Sequence, residues 1–252
     1  MNFINVEKND NYAIVQLNRG SANSLNLDLY NELIETFENL ENDDEVKGVV
    51  LTGKERFFSA GLDVIEIFNY DDHQMTDLFI ALAKSLRTLF LFKKTLIASI
   101  TGHSPAGGCI LAIGCDYRIM ADGKYKIGLN EIPVGIVMPE FVYRILAYWV
   151  GEGKAFQHIA EGRLIAPNEA LSIGLVDKVV AENQVLETAI EQLKKYMALD
   201  ANTFQQSKKN MRYGFMNYLD VNEDTIEDML EQWFKEETRT IMRNLVAQLT
   251  KK

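Results

Sequence analysis

The chain has 252 residues, 47% hydrophobic and 25% charged, a composition and length with which one large domain folds without a disulfide or metal staple. Its formal net charge of -10, from 26 Lys and Arg against 36 Asp and Glu, argues against a general nucleic-acid or anionic-membrane binder, because such proteins neutralise phosphates with a basic surplus. Cys109 and Cys115 lie in an apolar stretch, no signal-like segment opens the chain, and the longest apolar region is broken by Lys84, Arg87, Lys93 and Lys94; the expectation is a soluble, cytoplasmic protein with no disulfide and no membrane span.

In chain order, residues 12–17 read as a short strand, and Leu27, Tyr30, Leu33, Ile34, Phe37 and Leu40 then recur at helical spacing. Gly48 to Gly53 encloses an apolar burst typical of a buried strand. A helix is expected over 73–92, a strand over 96–100 and a buried helix over 107–115. Short strands near 117–120 and 124–127 precede helices from about Pro139 onward, and this alternation argues for an α/β class. From about Asn183 the pattern is helical, over 183–198, 202–217 and 222–249. Eight basic and eight acidic residues balance between Ala201 and Lys252, so the apolar stripe of Trp233, Phe234, Ile241, Met242, Leu245 and Leu249 suits its own core or another subunit. The expected division is a core over 1–198 and a helical region over 199–252. No internal repeat is visible in the letters.

Three segments carry chemistry. Phe57 to Asp63 reads Phe-Phe-Ser-Ala-Gly-Leu-Asp straight after a strand; its small residues admit a ligand to the backbone, or simply form a tight turn. Gly102 to Cys109 ends in Pro-Ala-Gly-Gly-Cys at the start of an apolar helix, where unpaired N–H groups suit an anion or a developing oxyanion. It matches neither the phosphate-loop nor the dinucleotide spacing. Between Ile127 and Pro139, Glu131 is a lone carboxylate among apolar, Gly and Pro residues. On a solvent-facing loop it is unremarkable; buried, it has a raised pKa and acts as a base near neutrality. His73, His103 and His158 lack ligand spacing, so no metal is expected. Cys109 reads as inert packing, and neither Ser59 nor Ser104 sits in a nucleophile elbow.

Taken together with Leu17-Asn18-Arg19, Asn23-Ser24-Leu25, Cys115 to Ile119, Gly128-Leu129-Asn130-Glu131 and Ala170 to Asp177, these segments resemble the enoyl-CoA hydratase/isomerase (crotonase) superfamily over nearly the whole chain. Within it the runs are most similar to those of mitochondrial-type Δ3,Δ2-enoyl-CoA isomerases. The resemblance implies a spiral of ββα units, a C-terminal helical trimerisation region, and trimers or hexamers. It implies an oxyanion hole from the backbone N–H groups of Leu62 and Gly107, suited to a thioester enolate. It also implies coenzyme A contacts from Arg56, Ser59, Ala60, Leu62, Ile65 and Ile110. Coenzyme A is then part of the substrate, and no separate cofactor is needed. A side chain at 107 is expected to disturb the donor while leaving the fold largely intact.

The carboxylates point to the reaction. Hydratases of this family position water with two glutamates, one where Glu131 lies and one where this chain has Ile110. An apolar side chain cannot orient water, whereas a single glutamate can carry a proton from C2 to C4 of an acyl thioester. The expectation is an isomerase with Glu131 as its base and acid. Glu140, at a helix start, is a possible second carboxylate or a solvent-facing residue favourable to the helix dipole. Another reaction of the superfamily, such as hydration, dehydration or decarboxylation, and a non-catalytic acyl-CoA-binding role stand as alternatives.

Overall fold

A computed structural model describes residues 3–250; the outermost residues of both expected regions, 1–2 and 251–252, lie outside it. The chain winds through successive turns that each lay down two strands and one or more helices. The first turn is an antiparallel hairpin, β1 (Ile4–Asn9) and β2 (Tyr12–Leu17), followed by α1 (Leu27–Asn42). The second is β3 (Gly48–Thr52), β4 (Arg56–Phe57), α2 (Val64–Ile67) and α3 (Asp72–Leu91). The third is β5 (Thr95–Ile100), β6 (Gly102–Pro105) and α4 (Gly107–Ile113). The fourth is β7 (Tyr117–Ala121), β8 (Ile127–Gly128) and the helices α5 (Glu140–Val150), α6 (Glu152–Glu161) and α7 (Pro167–Ser172). The chain then adds β9 (Lys178–Val180), α8 (Val185–Met197), α9 (Ala201–Arg212), α10 (Glu223–Phe234) and α11 (Glu236–Leu249).

Six strands join in one sheet of order β1-β2-β3-β5-β7-β9, and three in a smaller sheet of order β4-β6-β8. Every pairing after the hairpin is parallel. This is the repeated ββα spiral, and the repeat lies in the winding rather than in the letters. Strands β3 and β5 are buried at every residue, as continuous apolar runs in a parallel sheet covered on both faces should be. One face meets the main core; the other meets α8 through Val50, Ile97, Ile119, Val185, Ala189 and Leu193.

Several expected boundaries change. β1, β4, β6 and β9 are not foreseen, and the strand expected over 124–127 shrinks to Ile127–Gly128. The single helix expected over 222–249 is two, because Lys235 is extended (φ -66°, ψ 141°) and starts α11 anew. The helix expected over 202–217 stops at Arg212 and passes into a 3-10 turn. Ile226, Met229, Trp233 and Met242 join the main core, and α10 packs on α3, so much of the apolar stripe is spent within the chain. Met211 (62% exposed) and Tyr213 (69%) remain on the surface. Cys109 and Cys115 are free and buried. No helix among the described residues is long and apolar enough to cross a membrane.

Two buried charge clusters tie the later elements to the spiral. The Asp116 carboxylate accepts the Leu96 N–H (2.8 Å) and pairs with Lys208 (2.7 Å) and Arg212 (2.8 Å), all three side chains being 8% exposed or less. Arg118 is stacked 3.8 Å from the Trp149 ring centroid, pairs with Asp177 (2.6 Å), and donates to the carbonyls of Leu175 (2.9 Å) and Cys115 (3.2 Å). Removing one member of such a cluster strands the others without water. Asp116→Asn leaves Arg212, which cannot shed its charge, facing a neutral amide; the expected loss is roughly 3 kcal/mol of unfolding free energy by urea denaturation. A loss below about 1 kcal/mol, the scale of a surface pair, would contradict this role.

Candidate active site

The loop after β2 is pinned against the segment that follows β4. Arg19 pairs with Asp63 (2.6 Å) and Glu66 and donates to the Ser24 carbonyl (2.9 Å). Asn23, in a left-handed conformation (φ 51°), accepts the Arg19 N–H (3.0 Å) and donates to the Phe58 carbonyl (3.1 Å). The Ser59 hydroxyl donates to the Asn23 carbonyl (2.7 Å) and accepts the Gly61 N–H (3.1 Å). Leu25 then bridges Leu62 as a strand would: its N–H donates to the Gly61 carbonyl and its carbonyl accepts the Asp63 N–H, both at 2.8 Å. That pattern turns the Leu62 N–H to the other side, where it has no partner among the described residues.

The second wall is the turn into α4. Ala106 has φ 47° and ψ -119°, a conformation strained for any residue with a Cβ and held here by its N–H bond to the Gly128 carbonyl (2.8 Å). The next N–H, of Gly107, opens the helix without an acceptor among the described residues. A Cβ at Gly61 would stand 3.3 Å from the Gly107 nitrogen, so the segments carrying Leu62 and Gly107 are in contact. A Cβ at Gly107 would stand 2.7 Å from Leu25 Cδ1 and 3.2 Å from Tyr30 Oη, both in the buried core. This corrects the expectation of an intact fold: a valine at 107 displaces core atoms and does not test the N–H alone.

Glu131 follows β8, whose Gly128 pairs with Pro105 beside the Gly107 turn. The residue is 7% exposed, and its Oε2 is sealed from solvent without a hydrogen-bond partner. Burial pushes its pKa up to about 7; hydrogen bonding to the backbone of residues 130 and 131 opposes this only in part, and no neighbouring charge offsets it. The turn over Ile132–Val134 is held by α6, and by α11 through Thr238, whose hydroxyl donates to the Gly135 carbonyl (3.1 Å). The next residue of α11, Arg239, donates to the Phe68 carbonyl (2.7 Å) just after α2. One C-terminal helix therefore braces both sides of the site.

The remaining expected residues are spread around this corner. Arg56 is exposed and in a left-handed conformation (φ 69°); with Lys126 it forms a local basic spot whose charge, after burial, lowers the pKa of His103. Lys54, two residues before Arg56, gives its ammonium to the Gly20 carbonyl (2.6 Å). The Ser59 and Ala60 N–H groups are taken by the carbonyls of His103 (3.3 Å) and Ala22 (2.9 Å). Ile65 is exposed on α2, and Ile110 is 3% exposed within α4. Glu140 is solvent-facing, pairs with Arg144 (2.9 Å), and lines a separate cavity of about 400 Å³ with Tyr218 and Asp228. The described residues hold no group of three or more His, Cys, Asp or Glu fit for a metal. Sequence reasoning passes over Arg19, Asn23, Tyr30 and Thr238; the Arg19 and Asn23 runs carry the family resemblance but give no role.

The raised pKa has a thermodynamic consequence. In the unfolded chain Glu131 titrates at the ordinary 4.5, and in the folded protein near 7, so between those values the folded state binds more protons. Stability therefore falls as pH rises through that window, and Glu131→Gln removes the slope. Relative to wild type, the variant should gain roughly 2–3 kcal/mol between about pH 4 and about pH 8 in urea denaturation. A stability difference independent of pH would contradict the burial.

Comparison with known proteins gives the same architecture a lineage. Residues 7–246 match the enoyl-CoA hydratase/isomerase family. The chain is 39% identical over 202 residues, 79% of this chain and 70% of the relative, to rat mitochondrial enoyl-CoA delta isomerase 1. It is 34% identical to the short-chain-enoyl-CoA hydratase of Clostridium acetobutylicum, over 88% of this chain and 85% of that one. The crystal structure of human mitochondrial delta3-delta2-enoyl-CoA isomerase superimposes with a TM-score of 0.95 at 31% identity, covering 99% of both chains. With its spiral of ββα turns and its match over residues 7–246, the chain belongs to the enoyl-CoA hydratase/isomerase family.

Proposed function

We propose that the protein moves a double bond from the 3- to the 2-position of an enoyl-CoA thioester. The observation that carries this reading is a single buried carboxylate, Glu131, raised to about 7 and set by the same corner as two unpartnered N–H groups. The thioester oxygen accepts the Leu62 and Gly107 N–H groups, which stabilise negative charge developing on it. Ionised Glu131 takes a proton from C2, and the electrons delocalise through C2, C3 and C4 as a dienolate. The carboxylic acid so formed returns the proton to C4 on the same face, leaving the double bond between C2 and C3 and the base ionised again. A pKa near neutrality suits a group that must both take and give the proton.

Hydration is the competing reading, favoured by the name of the 34% identical clostridial relative. It needs a second carboxylate on the water. Ile110 supplies none, no carboxylate perturbs Glu131, and Glu140 is occupied by Arg144. Arg56, the Ser59 to Leu62 backbone and Ile65 are proposed for the coenzyme A side and Ile110 for the acyl side, with no further cofactor. Met211 and Tyr213, exposed on the 199–252 region, support assembly of that region into a trimer or a pair of trimers. The buried, free cysteines are compatible with a reducing setting.

Glu131→Gln, which keeps the size and removes the base, should lower turnover of 3-enoyl-CoA by at least about 100-fold in a spectrophotometric assay. Near-wild-type turnover would sink the mechanism. Formation of 3-hydroxyacyl-CoA from 2-enoyl-CoA at a comparable rate would favour the hydratase.

A further inference from the structure

Tyr30 is fully buried on the inward face of α1, where its companions Leu29, Leu33, Phe37 and Leu40 are all apolar. Packing alone asks for no hydroxyl there. Yet its Oη lies 3.2 Å from the point where a Gly107 Cβ would stand, is sealed from solvent, and has no hydrogen-bond partner. A buried donor left unpaired is costly and calls for an acceptor. Because its oxygen is closed to solvent, that acceptor belongs to the protein. Glu131 Oε2 and Asn130 Oδ1 are unpartnered buried acceptors in the base segment, and the Ser104 hydroxyl, also unpartnered, stands against Gly108.

The charges around the base single out the same pair. Glu131 raises the pKa of Tyr30 on α1, after burial, and that of the Cys109 thiol on α4, again after burial. From the other elements packed on its turn, His158 of α6 answers to Arg163, Glu169, Glu161 and Lys154, and Arg239 of α11 to Arg243 and Glu236. Among the described residues no cation shifts the titration of the carboxylate. Among the titratable groups that feel Glu131, only the Tyr30 hydroxyl and the Cys109 thiol respond to it, and both are neutral.

We infer that Tyr30 is a positioning residue for the base: on ionisation the Glu131 side chain turns Oε2 onto the Tyr30 hydroxyl, which donates to it and leaves Oε1 for the substrate proton. The effect on turnover rests on the isomerase reading, but the hydrogen bond does not. A donor to the charged form favours ionisation, so the wild-type carboxyl titrates below the value that burial alone imposes.

The test follows the carboxyl C=O band of Glu131 by infrared difference spectroscopy against pH, the band being assigned by its loss in Glu131→Gln. Tyr30→Phe keeps the ring and removes the donor; its midpoint should rise by about one pH unit. A fluorotyrosine at position 30, a more acidic donor in the same packing, should move the midpoint downward. The acid limb of kcat/KM on 3-enoyl-CoA should shift with the titration, so that activity falls about fivefold at pH 7 and recovers in alkali. Unchanged midpoints in both variants would overturn the proposal, as would an equal activity loss at every pH. If the wild type isomerises no 3-enoyl-CoA, the isomerase reading fails, and the infrared titration still decides the role of Tyr30.

Discussion

The proposed site depends on keeping one carboxylate out of water with no opposite charge beside it. A Glu in water titrates near 4.5, too acidic to take a proton from carbon and return it readily near neutrality. Burial removes the hydration that makes it acidic, and Glu131 moves to about 7. The cost is a folded state that tolerates the charge poorly, and the surrounding structure must oppose relaxation. It does so with a turn braced by Thr238 and α6, and with a core that closes around Oε2.

The spiral explains why that carboxylate meets two free N–H groups. The second, third and fourth turns each add a short strand to one small sheet, so the residues after β4, β6 and β8 collect in one corner: Leu62, Gly107 and Glu131. Each segment uses its other backbone groups to hold position. Leu25 takes the bonds on either side of Leu62, and Gly128 takes the N–H of Ala106, so that the next N–H along is left unpaired. Ala106 endures an unfavourable backbone conformation to place it. Other matched runs serve as struts. Asp116 anchors α9 through Lys208 and Arg212, and Arg118 joins β7 to the approach of β9 through Asp177.

What the sequence reveals follows from how each element is stabilised. Buried parallel strands such as β3 and β5 are continuous apolar runs, and α1 carries a clear helical period, so both are legible. The strands β4, β6 and β8 have two to four residues and are fixed by pairing with one another, which no local pattern records. The break at Lys235 lies inside an unbroken apolar stripe, and only its extended backbone separates α10 from α11. The burial of Glu131 is suggested by its apolar surroundings. Tyr30 is not legible as polar machinery, since at its place in the α1 period a tyrosine reads as core. Arg19 and Asn23 act across 35 to 47 residues of chain, through partners such as Phe58 and Glu66 that spacing alone does not link.

The central claim is that one sealed carboxylate carries a single proton between two carbons. The most direct test is conversion of 3-enoyl-CoA in deuterium oxide, with the deuterium content at C4 of the product read by mass spectrometry at early conversion. Because the proton rests on a carboxyl largely closed to solvent, much of the product should carry the hydrogen that left C2 and contain no deuterium at C4. Complete deuteration at C4 from the first turnovers, or a product bearing a hydroxyl at C3, would contradict the account.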